Sequence, residues 1–129
     1  MPYVRGQERS SSVLIEVTID DHGKIYPAYY WWCPGCASYD TERSGGGTHM
    51  FHIPPWTFDN DDMEKPSFSA SYLSYGWKPV EDNPRGFKGS PRCHSFVKNG
   101  MIQYLSDCEH ELANKTVPMA VVPDWLRHS

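Results

Sequence analysis

Cys33-Pro34-Gly35-Cys36 places two thiols two residues apart with Pro and Gly between them. Pro34 fixes φ and Gly35 permits a sharp reversal, so both sulfurs can face one ion from a tight knuckle. The other two cysteines come late, in RCHSFVKNGMIQYLSDCEH, where Cys93 and Cys108 are accompanied by His94 and His110. Thiolate and imidazole are the donors of a structural Zn2+ site. The expectation is therefore a zinc-ribbon-like site that staples an early hairpin to a late one. Two disulfides are the competing use of four cysteines, but one close pair plus two scattered positions in a reducing compartment fits a metal better.

The late hairpin supplies a geometric test. Asn99-Gly100 between apolar runs predicts a two-residue type I′ turn, which sets Lys98 opposite Met101, Val97 opposite Ile102, Ser95 opposite Tyr104 and Cys93 opposite Ser106. Continued regularly, the ladder puts Cys108 and His110 on the face of Cys93 and turns His94 to the other face. The expected ligands are then Cys33, Cys36, Cys93 and either Cys108 or His110. A bulge near Ser106 would admit His94 instead. His49 and His52 are spaced i, i+3, but three glycines before them and two prolines after them predict a strand, on which the two rings face apart. As joint ligands they are disfavoured, and at least one is expected to be an ordinary half-buried histidine.

The elements that must position these groups are strands. Five Trp, eight Tyr and five Phe favour extended chain, while 11 Pro and 10 Gly interrupt it too often for long helices. The expected fold is mainly β: one small domain of antiparallel hairpins over residues 12–129, with little helix, preceded by a loose arm over 1–11. Ser12–Asp20 and Lys24–Trp32 form the hairpin that delivers the knuckle. Thr48–Ile53 and Ser67–Ser74 are further strands, 78–91 is a long connection, and Glu109–Asn114 is a helical turn. Thr116–Val122 is the last strand, and Trp125 and Leu126 close the core. Asp59, Asp61, Asp62 and Glu64 resemble a cation cluster but lack the spacing of a calcium loop, so a solvated loop is expected.

At 129 residues with a net charge of −4, the chain is a poor match for sequence-independent binding to phosphate backbones. The short basic stretch Arg85, Lys88, Arg92 and Lys98 reads as solvated surface. No apolar run approaches the ~18 residues needed to span a bilayer, and the polar start MPYVRGQERSSS predicts a protein retained in the cytoplasm.

Three segments, Trp31 to Cys36 (WWCPGC), Trp56 to Ser71 (WTFDNDDMEKPSFSAS) and Arg92 to Val117, resemble a small phage and prophage family of unknown function whose members are often mislabelled "ammonia monooxygenase". That label finds no copper-site pattern here. The resemblance implies a zinc-binding domain with roles for Cys33, Cys36, Cys93, His94 and His110, located in host cytoplasm if phage-encoded. A similar domain occurs beside bacterial ubiquitin-like conjugation genes. The leading expectation is a non-enzymatic module that binds a host or phage protein, with antagonism of a host factor or defence as its use. The alternative is a zinc hydrolase with a metal-bound water and Glu109 or Glu111 as proton shuttle. Recognition of single-stranded nucleic acid by exposed aromatics is a third, weaker option.

Overall fold

The computed structural model describes residues 3–37, 47–74 and 92–127. They form ten strands: β1 (Tyr3–Ser10), β2 (Ile15–Asp21), β3 (Lys24–Trp32), β4 (Thr48–His52), β5 (Thr57–Phe58), β6 (Phe68–Ser69), β7 (Tyr72–Ser74), β8 (Cys93–Lys98), β9 (Met101–Tyr104) and β10 (Thr116–Pro118). Two single-turn helices, α1 (Pro34–Ala37) and α2 (Asp124–Arg127), complete the set. The strands make three antiparallel sheets in the orders β1-β2-β3-β4, β10-β9-β8-β7 and β5-β6. The mainly β architecture of hairpins is thus the observed one.

Each hairpin follows from its sequence. In β2, Ile15, Val17 and Ile19 alternate with more exposed residues, and their buried face packs with Ala28, Val122 and Leu126. His22 and Gly23, both at positive φ, form the two-residue turn into β3, and Asp20 Oδ1 accepts the Gly23 N–H at 2.9 Å. Asn99 and Gly100 repeat that geometry between β8 and β9 with φ of 50° and 77°. The β8-β9 register pairs Lys98 with Met101, Val97 with Ile102 and Ser95 with Tyr104, as the turn requires.

Residues expected to be a loose arm instead form β1, an edge strand on β2 whose register shifts twice. From Gln7 to Ser10 its side chains are polar and exposed, so no hydrophobic alternation announces it; the ladder and the ion pairs of Arg9 hold it. Arg9 meets Glu16 through two N–H···O contacts of 3.0 and 2.8 Å and reaches Asp61 at 2.8 Å. The strand expected over 67–74 divides because its halves serve different sheets: β6 pairs with β5, and β7 with β8. The helical turn expected over 109–114 is a pair of tight turns, closed by Ala113 N–H to His110 O and Lys115 N–H to Leu112 O. The last strand ends at Pro118, and the chain then crosses to the first sheet, where the Val122 N–H meets Ser12 O at 2.8 Å.

The larger core is aromatic. Phe51 stacks on Phe68 with centroids 4.3 Å apart, and Trp31 lies 5.8 Å from Phe51 and 5.4 Å from Tyr72. All four cysteines belong to this cluster. Leu126 is buried beneath the first sheet as expected. The side chain of Trp125, Gly45, Gly46, the 78–91 connection and with it Arg85 and Lys88 lie outside the described residues. No helix among the described residues is long and apolar enough to cross a membrane.

Candidate metal centre

Strand β3 runs into the knuckle, and α1 is the single turn that closes it, with Ala37 N–H on Cys33 O at 3.0 Å. The Cys36 N–H points at Cys33 Sγ from 3.4 Å, a backbone donor placed to stabilise a thiolate. Gly35 is required for space: a Cβ there would lie 2.5 Å from the His110 ring. Gly47 carries the chain back, its carbonyl accepting the Cys33 N–H at 2.6 Å, and β4 then pairs with β3 so that Trp31 faces His49. His49 and Phe51 are consequently buried on one side of β4, while His52 is less buried on the other and its ring meets Pro54 O at 2.9 Å.

Cys33, Cys36, His49 and Cys93 bring one ligand atom each within 4.8 Å of one another, close enough to hold a metal ion. Their exposures are 0%, 2%, 5% and 0%. Cys93 also belongs to a second group with Cys108 and His110. Among the six, hydrogen bonding separates the ligands from their supports.

His110 Nδ1 accepts the Leu112 N–H at 3.2 Å, which places the ring proton on Nε2, 3.5 Å from Cys93 Sγ. His110 therefore suits donation to the Cys93 sulfur, not ligation through Nε2. Cys108 is engaged at the backbone: its thiol donates to His94 O at 3.1 Å and accepts the His94 N–H at 3.2 Å. The Nε2 of His49, by contrast, is buried without a hydrogen-bond partner among the described residues. A buried imidazole nitrogen without a partner costs about 1–3 kcal/mol, which a metal bond to it would remove. Trp31 Nε1, Thr48 Oγ1 and Ser95 Oγ share that condition on the same three strands, but none is a customary zinc ligand.

The charge distribution points the same way. Burial pushes the Cys33 thiol up, but hydrogen bonds from Cys36, Cys93, His110 and His49 outweigh it and hold the thiol far below the usual range. Donation to Cys33 raises Cys36 and Cys93, which keep their protons while Cys33 is the thiolate. Tyr104 lies at the same sulfur, with its oxygen 3.1 Å from Cys33 Sγ, and is raised by burial and by that negative charge. A dication would relieve this competition by letting all three sulfurs ionise.

The sequence-predicted set is thus placed as follows. Cys33, Cys36 and Cys93 meet, with His110 and Cys108 around Cys93. His94, given a role by the resemblance, points away from the cluster. A turn does form at Ser106–Asp107, yet it does not admit His94, because the departure lies on the opposite strand and β8 keeps its own alternation. His49 is the addition. Its signal was the strand reading of Thr48–Ile53, which leaves one histidine facing inward without its i+3 neighbour.

The acidic loop shapes itself. Asp62 Oδ1 accepts the Glu64 and Lys65 N–H groups, Asp61 pairs with Arg9, and Asp59 accepts from Ser69, Thr57 and Lys98. Compared with known proteins, the chain matches no family model, no curated protein and no solved structure.

Proposed function

We propose that the chain is a small zinc-stapled β domain of the phage accessory type its motifs resemble, with Zn2+ as a structural ion on Cys33, Cys36, His49 and Cys93. On this reading it acts by binding a host or phage protein in the cell interior, and antagonism of a host factor is the use the resemblance suggests. The burial of the donors carries the assignment: each is 5% exposed or less, and the four come from three separate segments. Four protein donors fill a tetrahedral shell and leave no place for a reacting water. The binding surface would draw on the exposed apolar residues Val4 and Leu73, both on edge strands, together with Ile25, Met101 and Val121.

The zinc-hydrolase alternative needs an open coordination position and a free shuttle. Glu109 accepts the Arg92 N–H at 2.7 Å and Glu111 is exposed, and the sealed donor set gives a metal-bound water no route to substrate. Cobalt substitution tests the assignment. The full chain refolded with Co2+ should show the intense visible bands of a tetrahedral sulfur-rich site, unmoved by azide. Bands that shift on adding azide would expose an open position and overturn the structural reading in favour of the hydrolase.

A further inference from the structure

Neighbouring residues on a strand face opposite ways, and β8 uses both directions at one place. Cys93 points into the metal centre, and His94 points out. On that outer side His94 Nε2 lies 3.1 Å from Ser71 Oγ, and its Nδ1 lies 3.2 and 3.3 Å from the two carboxylate oxygens of Asp107. The three residues belong to separate segments that the register brings together. His94 is paired with Leu73 on β7, Ser71 precedes Leu73 by two positions, and Asp107 sits in the turn that follows β9.

We propose that Ser71, His94 and Asp107 form a nucleophile relay that acts on carboxylic esters of small acyl groups, a site distinct from the metal centre and independent of which ion fills it. A carboxylate on Nδ1 fixes the proton there and orients the ring, which leaves the Nε2 lone pair facing the serine hydroxyl. Nucleophile, base and orienting carboxylate are therefore in the order that acyl transfer needs. Access differs from that of the metal donors: the His94 and Asp107 side chains are 26% and 44% exposed. Both line a groove of about 500 Å³, together with the polar residues Gln103, Asn114 and Thr116. Ser71 is not part of that lining; its half-buried Oγ adjoins the groove through the His94 ring, 3.1 Å away. The volume suits a small-molecule ligand, and the amide and hydroxyl side chains give a carbonyl compound hydrogen-bonding partners.

In the step itself, Ser71 Oγ bonds to the ester carbonyl carbon while His94 Nε2 takes the hydroxyl proton. The carbon–oxygen bond to the alcohol breaks, and His94 returns the proton to that leaving oxygen. Water then attacks the acyl-serine, giving up a proton to His94, and the acyl–Oγ bond breaks as the proton goes back to Ser71. The products are a carboxylic acid and an alcohol, with no redox change. Bonds among the same three residues would also tie β7 to the turn after β9, so the test must read reactivity and not fold.

Full-length, zinc-loaded protein is incubated with an alkyl fluorophosphonate and its intact mass is followed. One phosphonyl adduct per chain, with fluoride as the leaving group, is expected and should map to Ser71. Hydrolysis of 4-nitrophenyl acetate should accompany it. Ser71→Ala should abolish both while zinc content and the circular dichroism spectrum stay unchanged, and Asp107→Asn should slow labelling on the order of 10³- to 10⁴-fold. Folded wild-type protein that takes no adduct, an adduct elsewhere, or labelling unaffected by Asp107→Asn would overturn the relay. Mapping on the wild type decides the matter even if the Ser71 variant misfolds, and unchanged zinc content separates loss of the relay from loss of the metal centre.

Discussion

Two buried clusters hold the molecule, and they differ in what they need. Beneath the first sheet, Ile15, Val17, Ile19, Ala28, Val122 and Leu126 form an aliphatic cluster whose six buried members carry no titratable group, with Tyr26, Tyr30 and Met50 packed against them. Beside it, Trp31, Phe51, Phe68 and Tyr104 pack with all four cysteines. Burial alone stabilises the first, at roughly 0.8 kcal/mol per buried CH₂. The second contains groups that burial penalises, and Cys33, Cys36, His49 and Cys93 within it lie close enough together to hold an ion. The same chain thus contains one core complete in itself and one that a bound ion would complete.

Removing the metal should break that comparison most strongly. Structural zinc contributes on the order of 10 kcal/mol of apparent binding free energy to small folds. Chelation should therefore abolish hydrogen-exchange protection in β8 and β9 first, with β2 and β3 the last to lose it; simultaneous loss would show that the clusters do not differ. Next come truncations in the two cores. Phe51→Ala should cost about 3–5 kcal/mol and Ile15→Ala about 2–5 kcal/mol in denaturant unfolding of the loaded protein. Only the Phe51 change, which loosens the rings around Trp31 and His49, should also weaken metal retention. His110→Ala removes the donor at the Cys93 sulfur and should lower metal affinity by roughly 10- to 100-fold in a competition titration, without releasing the ion altogether.

The smallest effect belongs to the edge of the aliphatic side. Arg9 holds Glu16 below its ordinary value of 4.5 through hydrogen bonding, opposed by burial and assisted by the Tyr29 hydroxyl. Because the folded value is depressed, this contribution is fully present above about pH 4.5 and is lost as pH falls through the folded value. Melts in acid should show β1 loosening in that window, by about 1 kcal/mol or less, and Glu16→Gln should remove the dependence.

The sequence carried the parts of the fold that repeat a local rule. Alternation in β2, the Asn99-Gly100 turn and the Pro-Gly knuckle each have a physical signature within a few residues. β1 does not, because an exposed edge strand is specified by its neighbour's unpaired backbone. The split of β6 from β7 was hidden for a related reason: one apolar run serves two sheets, and only the tertiary arrangement says where it changes partner. At the site, Cys33, Cys36 and Cys93 were legible from spacing and register. His49 was harder to see because it lies outside both cysteine motifs and reaches the centre through β4's pairing with β3. The outward turn of His94 was legible from strand alternation; its meeting with Ser71 and Asp107 was not, since it depends on three segments far apart in sequence.

The most direct test of the account is zinc-edge X-ray absorption on tag-free, zinc-loaded protein, with elemental analysis per chain, for the wild type and His49→Ala. The account predicts one zinc with three sulfurs and one nitrogen, the nitrogen vanishing or giving way to oxygen in the variant. A four-sulfur shell, or a nitrogen that survives in His49→Ala and is lost in His110→Ala, would contradict it.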